Sequence, residues 1–329
     1  MAFDQATEKR LFELTSVFIH SGTAEFDLKR TMELKDVLRY HEWKYYVQNN
    51  PVISDFEYDQ LYQLLVDIEA QHPEWVTADS PTQRVGNDLT SDFPTVRHWV
   101  PMLSLDNSYN AEDLKDFDRQ VRKLCGLNEM AIVEYVVEPK FDGGSIALNY
   151  ENDYFTRAAT RGNGEEGDEI TNNARTIHSL PLSVKFRDLG VQKVELRGEV
   201  VLHKDDFIQI NRDREKSGLP IFANPRNAAT GGLRMKDPKE VADRQLAVFV
   251  FQMGYAVDAQ GNDHLKDLKT HFKTMHTLSS LGFKVAMDVM KCFDNIKDVA
   301  DYCLQWEALR DQYPYEMDGM VVKVNRFDL

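Results

Sequence analysis

The run Val136-Val137-Glu138-Pro139-Lys140-Phe141-Asp142-Gly143 constrains this chain more than any other stretch. It reads as a strand that gives way to a tight Asp-Gly turn, with a lysine at the junction. On an extended backbone, side chains two apart share a face, so Glu138, Lys140 and Asp142 are expected to point the same way. A lysine fixed beside carboxylates is one way to build an amine nucleophile for phosphorus. The same pattern also suits a mixed-charge surface hairpin, and the run alone leaves both open.

Composition narrows the class. At 329 residues, 42% hydrophobic and 28% charged, the chain has the make-up of a soluble globular protein with one large domain or two ordinary ones. No stretch approaches the roughly 18 consecutive apolar residues of a membrane span. The first residues show no signal pattern, so a cytoplasmic location and no membrane partner are expected. Cys125, Cys292 and Cys303 are odd in number and widely spaced, which gives neither a disulfide framework nor a zinc site. A net charge of −15 argues against general coating of nucleic acid, which needs lysine and arginine to displace counterions. Contact with nucleic acid is expected to be local, or shared with regions outside this chain.

Three segments are expected. Residues 1–30 are polar with short apolar runs and predict a loosely attached helical arm without chemistry. Residues 31–93 predict a small helical module. Leu34, Val37, Leu38, His41 and Tyr45 recur at three- and four-residue steps, and a break follows at Asn49-Asn50-Pro51. Ser54 opens a second helix with Glu57 completing a capping box, and Tyr58, Leu61, Tyr62, Leu65 and Ile68 form its buried stripe. The proline- and glycine-punctuated stretch from Pro73 to Gly86 reads as a linker.

Residues 94–329 predict the larger unit. Strands are expected at 132–138, 145–150, 154–160, 194–202, 246–252 and 320–325, and helices at 111–124, 204–217, 264–281 and 296–310. Alternation along Val194–Leu202 places Glu195, Arg197 and Glu199 on one face. Short strands in hairpin order indicate an α+β fold with antiparallel sheets.

Gly162, Gly164 and Gly167 fit the G-x-G-x-x-G dinucleotide pattern and would support an NAD-dependent oxidoreductase. That site needs a helix start holding pyrophosphate on its bare N–H groups. Here Glu165, Glu166, Asp168 and Glu169 would repel it. A non-catalytic nucleotide-binding module is a further alternative.

Other charged positions gather around the lysine motif in the sequence pattern. Arg161 follows one predicted strand, Glu199 ends another, and Arg226 and Arg234 flank a helix start in Asn224-Pro-Arg-Asn-Ala-Ala-Thr-Gly-Gly-Leu-Arg. Lys323 lies within Met320-Val-Val-Lys-Val-Asn325, where a charge is costly without a partner. Ion pairs would explain any one of these, and explain the whole set poorly.

Lys140-Phe-Asp-Gly143 resembles the K-x-D-G motif of nucleotidyltransferases. Several further runs appear in the order found in bacterial NAD-dependent DNA ligases. These are Pro101-Met-Leu-Ser-Leu-Asp-Asn107, Ala159-Thr-Arg-Gly162, Leu196-Arg-Gly-Glu-Val200, Phe222-Ala-Asn-Pro-Arg-Asn-Ala228 and Met317-Asp-Gly-Met-Val-Val-Lys-Val-Asn325. His41-Glu-Trp-Lys-Tyr-Tyr, Asp55-Phe-Glu-Tyr-Asp59 and Asp79-Ser-Pro-Thr-Gln-Arg-Val-Gly86 match as well. K-x-D-G alone is weak, because ATP-dependent ligases and capping enzymes share it; the ordered set is specific. The likeness runs from about residue 32 onward.

The resemblance implies an ATP-grasp-like ligase adenylation fold behind a helical module, acting in DNA replication and repair. Lys140 would be the nucleophile that becomes adenylated by NAD+, with Mg2+ (or Mn2+) assisting and no metal held by protein ligands. Glu138 would read the adenine edge, Ser104 and Leu105 would line the nucleoside pocket, and Phe251 would stack on the base. Arg161 and Glu199 would hold the ribose and phosphate region, Asp142 would support the lysine, and Lys323 would neutralise the α-phosphate. Arg226 and Arg234 look like the family's arginines near the phosphates or the nick.

The helical module would grip the nicotinamide mononucleotide half through Tyr45, Tyr46 and the run Asp55-Phe56-Glu57-Tyr58-Asp59. Tyrosine faces and carboxylates suit a cationic pyridinium ring. Many family members carry histidine where this chain has Tyr46. The family continues into an OB-fold, a zinc finger, helix-hairpin-helix repeats and a BRCT domain, all beyond this sequence. The chain therefore looks like a monomeric N-terminal fragment, expected to self-adenylate without efficiently sealing nicked duplex DNA.

Overall fold

Leu11 and Phe18 of the N-terminal helix α1 (Gln5–Phe18) are almost fully buried against α2 (Leu28–Glu42). The first residues are thus no loose arm: the polar face that dominates their composition is exposed, while the few apolar side chains join the module's core. The structure, a computed structural model, describes residues 3–48, 50–84 and 93–329. Val85 and Gly86 of the predicted linker, and Asn49 of the predicted break, lie outside the described residues.

Helix α2 runs into a π-turn at Trp43–Val47, which carries Tyr45 and Tyr46. Helix α3 (Asp55–Gln71) begins at the expected capping box, where Ser54 and Glu57 satisfy each other's backbone N–H groups. Leu61, Leu65 and Ile68 are buried, while Tyr58 and Tyr62 lie at the edge of this core.

The stretch after α3 is strapped down, contrary to what its prolines suggest. Fully buried Lys35 pairs with Glu69 at 2.9 Å and donates to the Trp75 carbonyl at 2.6 Å. Ser80 donates to Glu69 at 2.8 Å, and Arg39 pairs with Asp79 at 2.7 Å. Buried polar groups of this kind need fixed partners, so residues 73–84 have few freedoms left.

Beyond it the chain runs β1 (Thr95–Arg97), α4 (Ala111–Leu124), β2 (Tyr135–Phe141), β3 (Gly144–Glu151), β4 (Tyr154–Thr160), β5 (Glu166–Asp168) and α5 (Thr171–Arg175). There follow β6 (Lys193–Val201), α6 (Lys204–Lys216), α7 (Pro225–Leu233), α8 (Pro238–Ala242), β7 (Ala247–Val257), α9 (Leu265–Leu268), α10 (His271–Ser280), β8 (Lys291–Phe293), α11 (Ile296–Leu309) and β9 (Met317–Val324). Among the described residues every ladder is antiparallel: a four-stranded sheet β4-β3-β6-β7, a three-stranded sheet β8-β2-β9 and a β1-β5 ribbon. Ile146, Leu148, Val194, Leu196 and Val248 form the core of the larger sheet with Ala174, Ala228 and Leu278 from its helices. Tyr135 and Val137 pack with Val121 and Val299 between the smaller sheet and helices α4 and α11.

The α+β architecture is as expected. The predicted helix at 264–281 is instead two, α9 and α10, separated at Lys269 (φ 61°) with Thr270 capping the second. Gly162 (φ 56°) and Gly164 (φ 97°) form the turn between β4 and β5. A strand follows this turn where a phosphate-binding helix start would be needed, which removes the basis of the oxidoreductase alternative.

Candidate active site

The two larger sheets meet around a cavity of about 640 Å³ lined by the end of β2, the start of β3, strands β6, β7 and β9, and helix α7. Lys140 sits in its wall beside a register shift between β2 and β9 at Lys140/Phe141. The shift breaks the two-residue alternation. Asp142 leaves the lysine and pairs with Arg226 at 2.9 Å, while the Lys140 amine is paired with Asp318. The expectation that Asp142 supports the lysine is therefore corrected: Asp318, from the paired strand, is its carboxylate neighbour, and Lys140 in turn holds the Asp318 pKa down. Gly143 is required for close approach, since a Cβ there would collide with the Val200 carbonyl.

Lys323 lies opposite Val136 in the ladder, diagonal to Glu138, and this half-buried lysine forms an ion pair with the buried Glu138 carboxylate. His271 at the start of α10 holds the other Glu138 oxygen at 2.9 Å. Burial works against the Glu138 charge, but Lys323 and His271 outweigh it and keep its pKa below the ordinary carboxylate value. Lys323 also donates to the Phe251 carbonyl at 3.0 Å and lies 5.4 Å from the centre of that ring.

Glu199 faces Ser145 across the β3–β6 ladder and accepts its hydroxyl at 2.7 Å. Burial pushes this carboxyl up to about 7 in spite of that bond and of Arg226 nearby. Arg161 donates to Ser104 at 2.9 Å, Arg234 pairs with Asp168, and both arginines line the cavity with Ser104 and Leu105.

Lys140, Glu138, Asp142, Arg161, Glu199, Arg226, Arg234, Phe251 and Lys323 thus share one cavity, as the family resemblance implies. Three neighbours were missed: Asp318, Ser145 and His271. Asp318 stood in view in an Asp-Gly pair before a strand, but nothing local marked it as the partner of Lys140, and His271 gave no local signal. Among the described residues no three His, Cys, Asp or Glu side chains gather as a metal cage.

The residues expected to meet nicotinamide lie elsewhere. Tyr45, Tyr46, Asp55, Tyr58 and Asp59 line a second cavity of about 690 Å³, closed on its far side by His178, His203, Asp206, Lys284 and Tyr315. Tyr46 stacks on His178 with centroids 4.5 Å apart, and Lys284 donates to the Tyr46 carbonyl at 2.8 Å. Burial lowers the Lys284 pKa to about 8. Phe56 and Glu57 do not belong to this lining. Phe56 is 71% exposed, because the first turn of α3 points it to solvent, and Glu57 is consumed by the Ser54 cap. The two cavities share no residue.

Comparison with known proteins matches two domain families to the chain in sequence order. Residues 90–329 match the NAD-dependent DNA ligase adenylation domain, and residues 25–86 the DNA ligase-like N-terminal NAD+-binding domain. A DNA ligase of Sulfurihydrogenibium azorense is 52% identical over 99% of this chain and 47% of its own length. One of Persephonella marina is 55% identical over 90% and 41%, and one of Aquifex aeolicus 50% identical over 90% and 40%. The chain spans less than half the length of these relatives. No described helix is long and apolar enough to cross a membrane. With both domain families matched in sequence order over nearly its whole length, the chain belongs to the NAD-dependent DNA ligase adenylation family.

Proposed function

We propose that Lys140 attacks the α-phosphorus of NAD+, forming a phosphoramidate bond to AMP as the P–O bond to nicotinamide mononucleotide breaks. The amine proton is lost to solvent or to a carboxylate, and the leaving phosphate departs with its electron pair. The observation that carries this reading is the cluster around Lys140: Lys323, Arg161, Arg226 and Arg234 line the same cavity as the amine. Cations so placed offset the charge that builds on a phosphorus under attack. Asp318 would orient the amine, Phe251 would stack on adenine, and Glu199 with Arg161 would hold the ribose and phosphates. Mg2+ or Mn2+ would arrive on the dinucleotide's own phosphates, as hard cations commonly do.

The module's tyrosines and carboxylates would take the cationic nicotinamide half. Because they line a different cavity from Lys140, the attack requires the module to move so that both halves of one NAD+ are held at once. In later steps the AMP would pass to the 5′-phosphate of a nick in duplex DNA, and a 3′-hydroxyl would displace it.

Incubation with NAD+ labelled in its adenylate, then denaturation, tests the first step. Acid-labile label that disappears in Lys140→Ala supports it, and absence of an AMP-mass adduct on Lys140 refutes it. Equal labelling by ATP would show that the module does not select NAD+.

A further inference from the structure

His41 lies in the second cavity's lining, on α2, and is only 3% exposed. One ring nitrogen has a partner: Nε2 is 2.9 Å from the Thr15 hydroxyl on α1. That hydroxyl already gives its single proton to the Leu11 carbonyl at 2.8 Å. It can only accept from the imidazole, so Nε2 carries the ring proton. Burial lowers the His41 pKa to about 4, so the ring is neutral around pH 7. Nδ1 is then a bare acceptor, and among the described residues it has no hydrogen-bond partner. A buried acceptor left unpaired is costly, and one beside a cavity marks a place for a donor from a ligand.

The walls around it identify the donor. Tyr45, Tyr46 and Tyr58 with Asp55 and Asp59 make a lining suited to a cationic aromatic ring. A nicotinamide ring carries one hydrogen-bond donor, its carboxamide N–H2. We propose that His41 binds the nicotinamide half directly, Nδ1 accepting from the carboxamide N–H, and that Thr15 is a positioning residue holding His41 in the required tautomer. This rests on the NAD+-consuming reading above. It gives a task to α1, which precedes residues 25–86 where the family match begins.

The test compares NAD+ with 3-acetylpyridine adenine dinucleotide, in which a methyl group replaces the amide nitrogen while the phosphates are unchanged. Self-adenylation by the intact chain should favour NAD+ roughly tenfold in kcat/KM, chiefly through KM, as expected for one unmatched buried acceptor. Thr15→Val frees the imidazole to carry its proton on Nδ1 and should bring the preference close to unity. Thr15→Ser should restore it, and His41→Phe should abolish it. A purely structural role for Thr15 would slow both dinucleotides alike and leave their ratio unchanged. An unchanged ratio in folded Thr15→Val and His41→Phe overturns the proposal. Absence of labelling by either dinucleotide in the unaltered chain instead overturns the underlying reading, and this inference with it.

Discussion

Arg84 grips Glu42 with two nitrogens, Nε on Oε1 at 3.1 Å and Nη2 on Oε2 at 2.8 Å, although the two residues are 42 apart in sequence. Its remaining nitrogen reaches the carbonyls of Arg175 and Leu180 at 3.3 and 3.1 Å. One buried guanidinium therefore joins α2 of the module to the end of α5 and the segment after it. His178 and the Tyr58 hydroxyl approach the same Glu42 oxygen at 3.4 and 3.2 Å.

Removing that guanidinium leaves a buried carboxylate without its counter-charge. Arg84→Ala is expected to cost about 3–5 kcal/mol, the usual penalty for breaking a buried pair, measured by urea unfolding. Arg84→Lys should recover only part of this, because an ammonium cannot span two carboxylate oxygens and the carbonyls together.

Burial opposes the Glu42 charge, but Arg84 and His178 prevail and lower its pKa from 4.5 to about 2. A depressed carboxylate stabilises the fold above its unfolded pKa, and that stabilisation is lost as pH falls through the folded value. Unfolding free energy should therefore decline between about pH 4.5 and pH 2, and Glu42→Gln should flatten the decline. Equal acid sensitivity in the two proteins would count against it.

Glu199 has the opposite sign. Its pKa is raised by burial to about 7, so its contribution is fully present below 4.5 and lost as pH rises through 7. Glu199→Gln is expected to be more stable than the unaltered chain at pH 8, by on the order of 1–2 kcal/mol after solvent screening, and equal to it near pH 4. If Glu199 contacts the ribose, the same change should slow adenylation about 10–100-fold, the worth of a hydrogen bond to a charged group. Thermal melts at two pH values and labelling rates check the two halves separately.

Gly143→Ala should be destabilising by about 1–3 kcal/mol, since the new methyl meets the Val200 carbonyl and the β2–β3 turn must shift. Because that turn directly follows the strand end carrying Lys140, the proposed nucleophile, labelling should fall further than stability alone explains. A melt unchanged from the parent chain would show that the turn relaxes freely.

Much of this arrangement was legible beforehand. The capping box at Ser54 and Glu57 and helices α4 and α11 follow from local patterns, and the cavity's charged residues from ordered motifs. Asp318 in place of Asp142 was not legible, because a single register shift at Lys140 is a property of the paired strands. Nor was the burial of α1, whose two fully covered apolar residues, Leu11 and Phe18, count only once α2 lies beneath them. Beta strands of three residues, such as β8, are too short to show a period.

The second cavity is walled by both units of the chain, with Tyr46 and Asp55 on one side and Lys284 and Tyr315 on the other. A small molecule wedged there would act as a doorstop. Under the proposed attack on NAD+, it would hold the tyrosines away from the lysine and halt turnover while leaving the first cavity open to adenosine-like competitors.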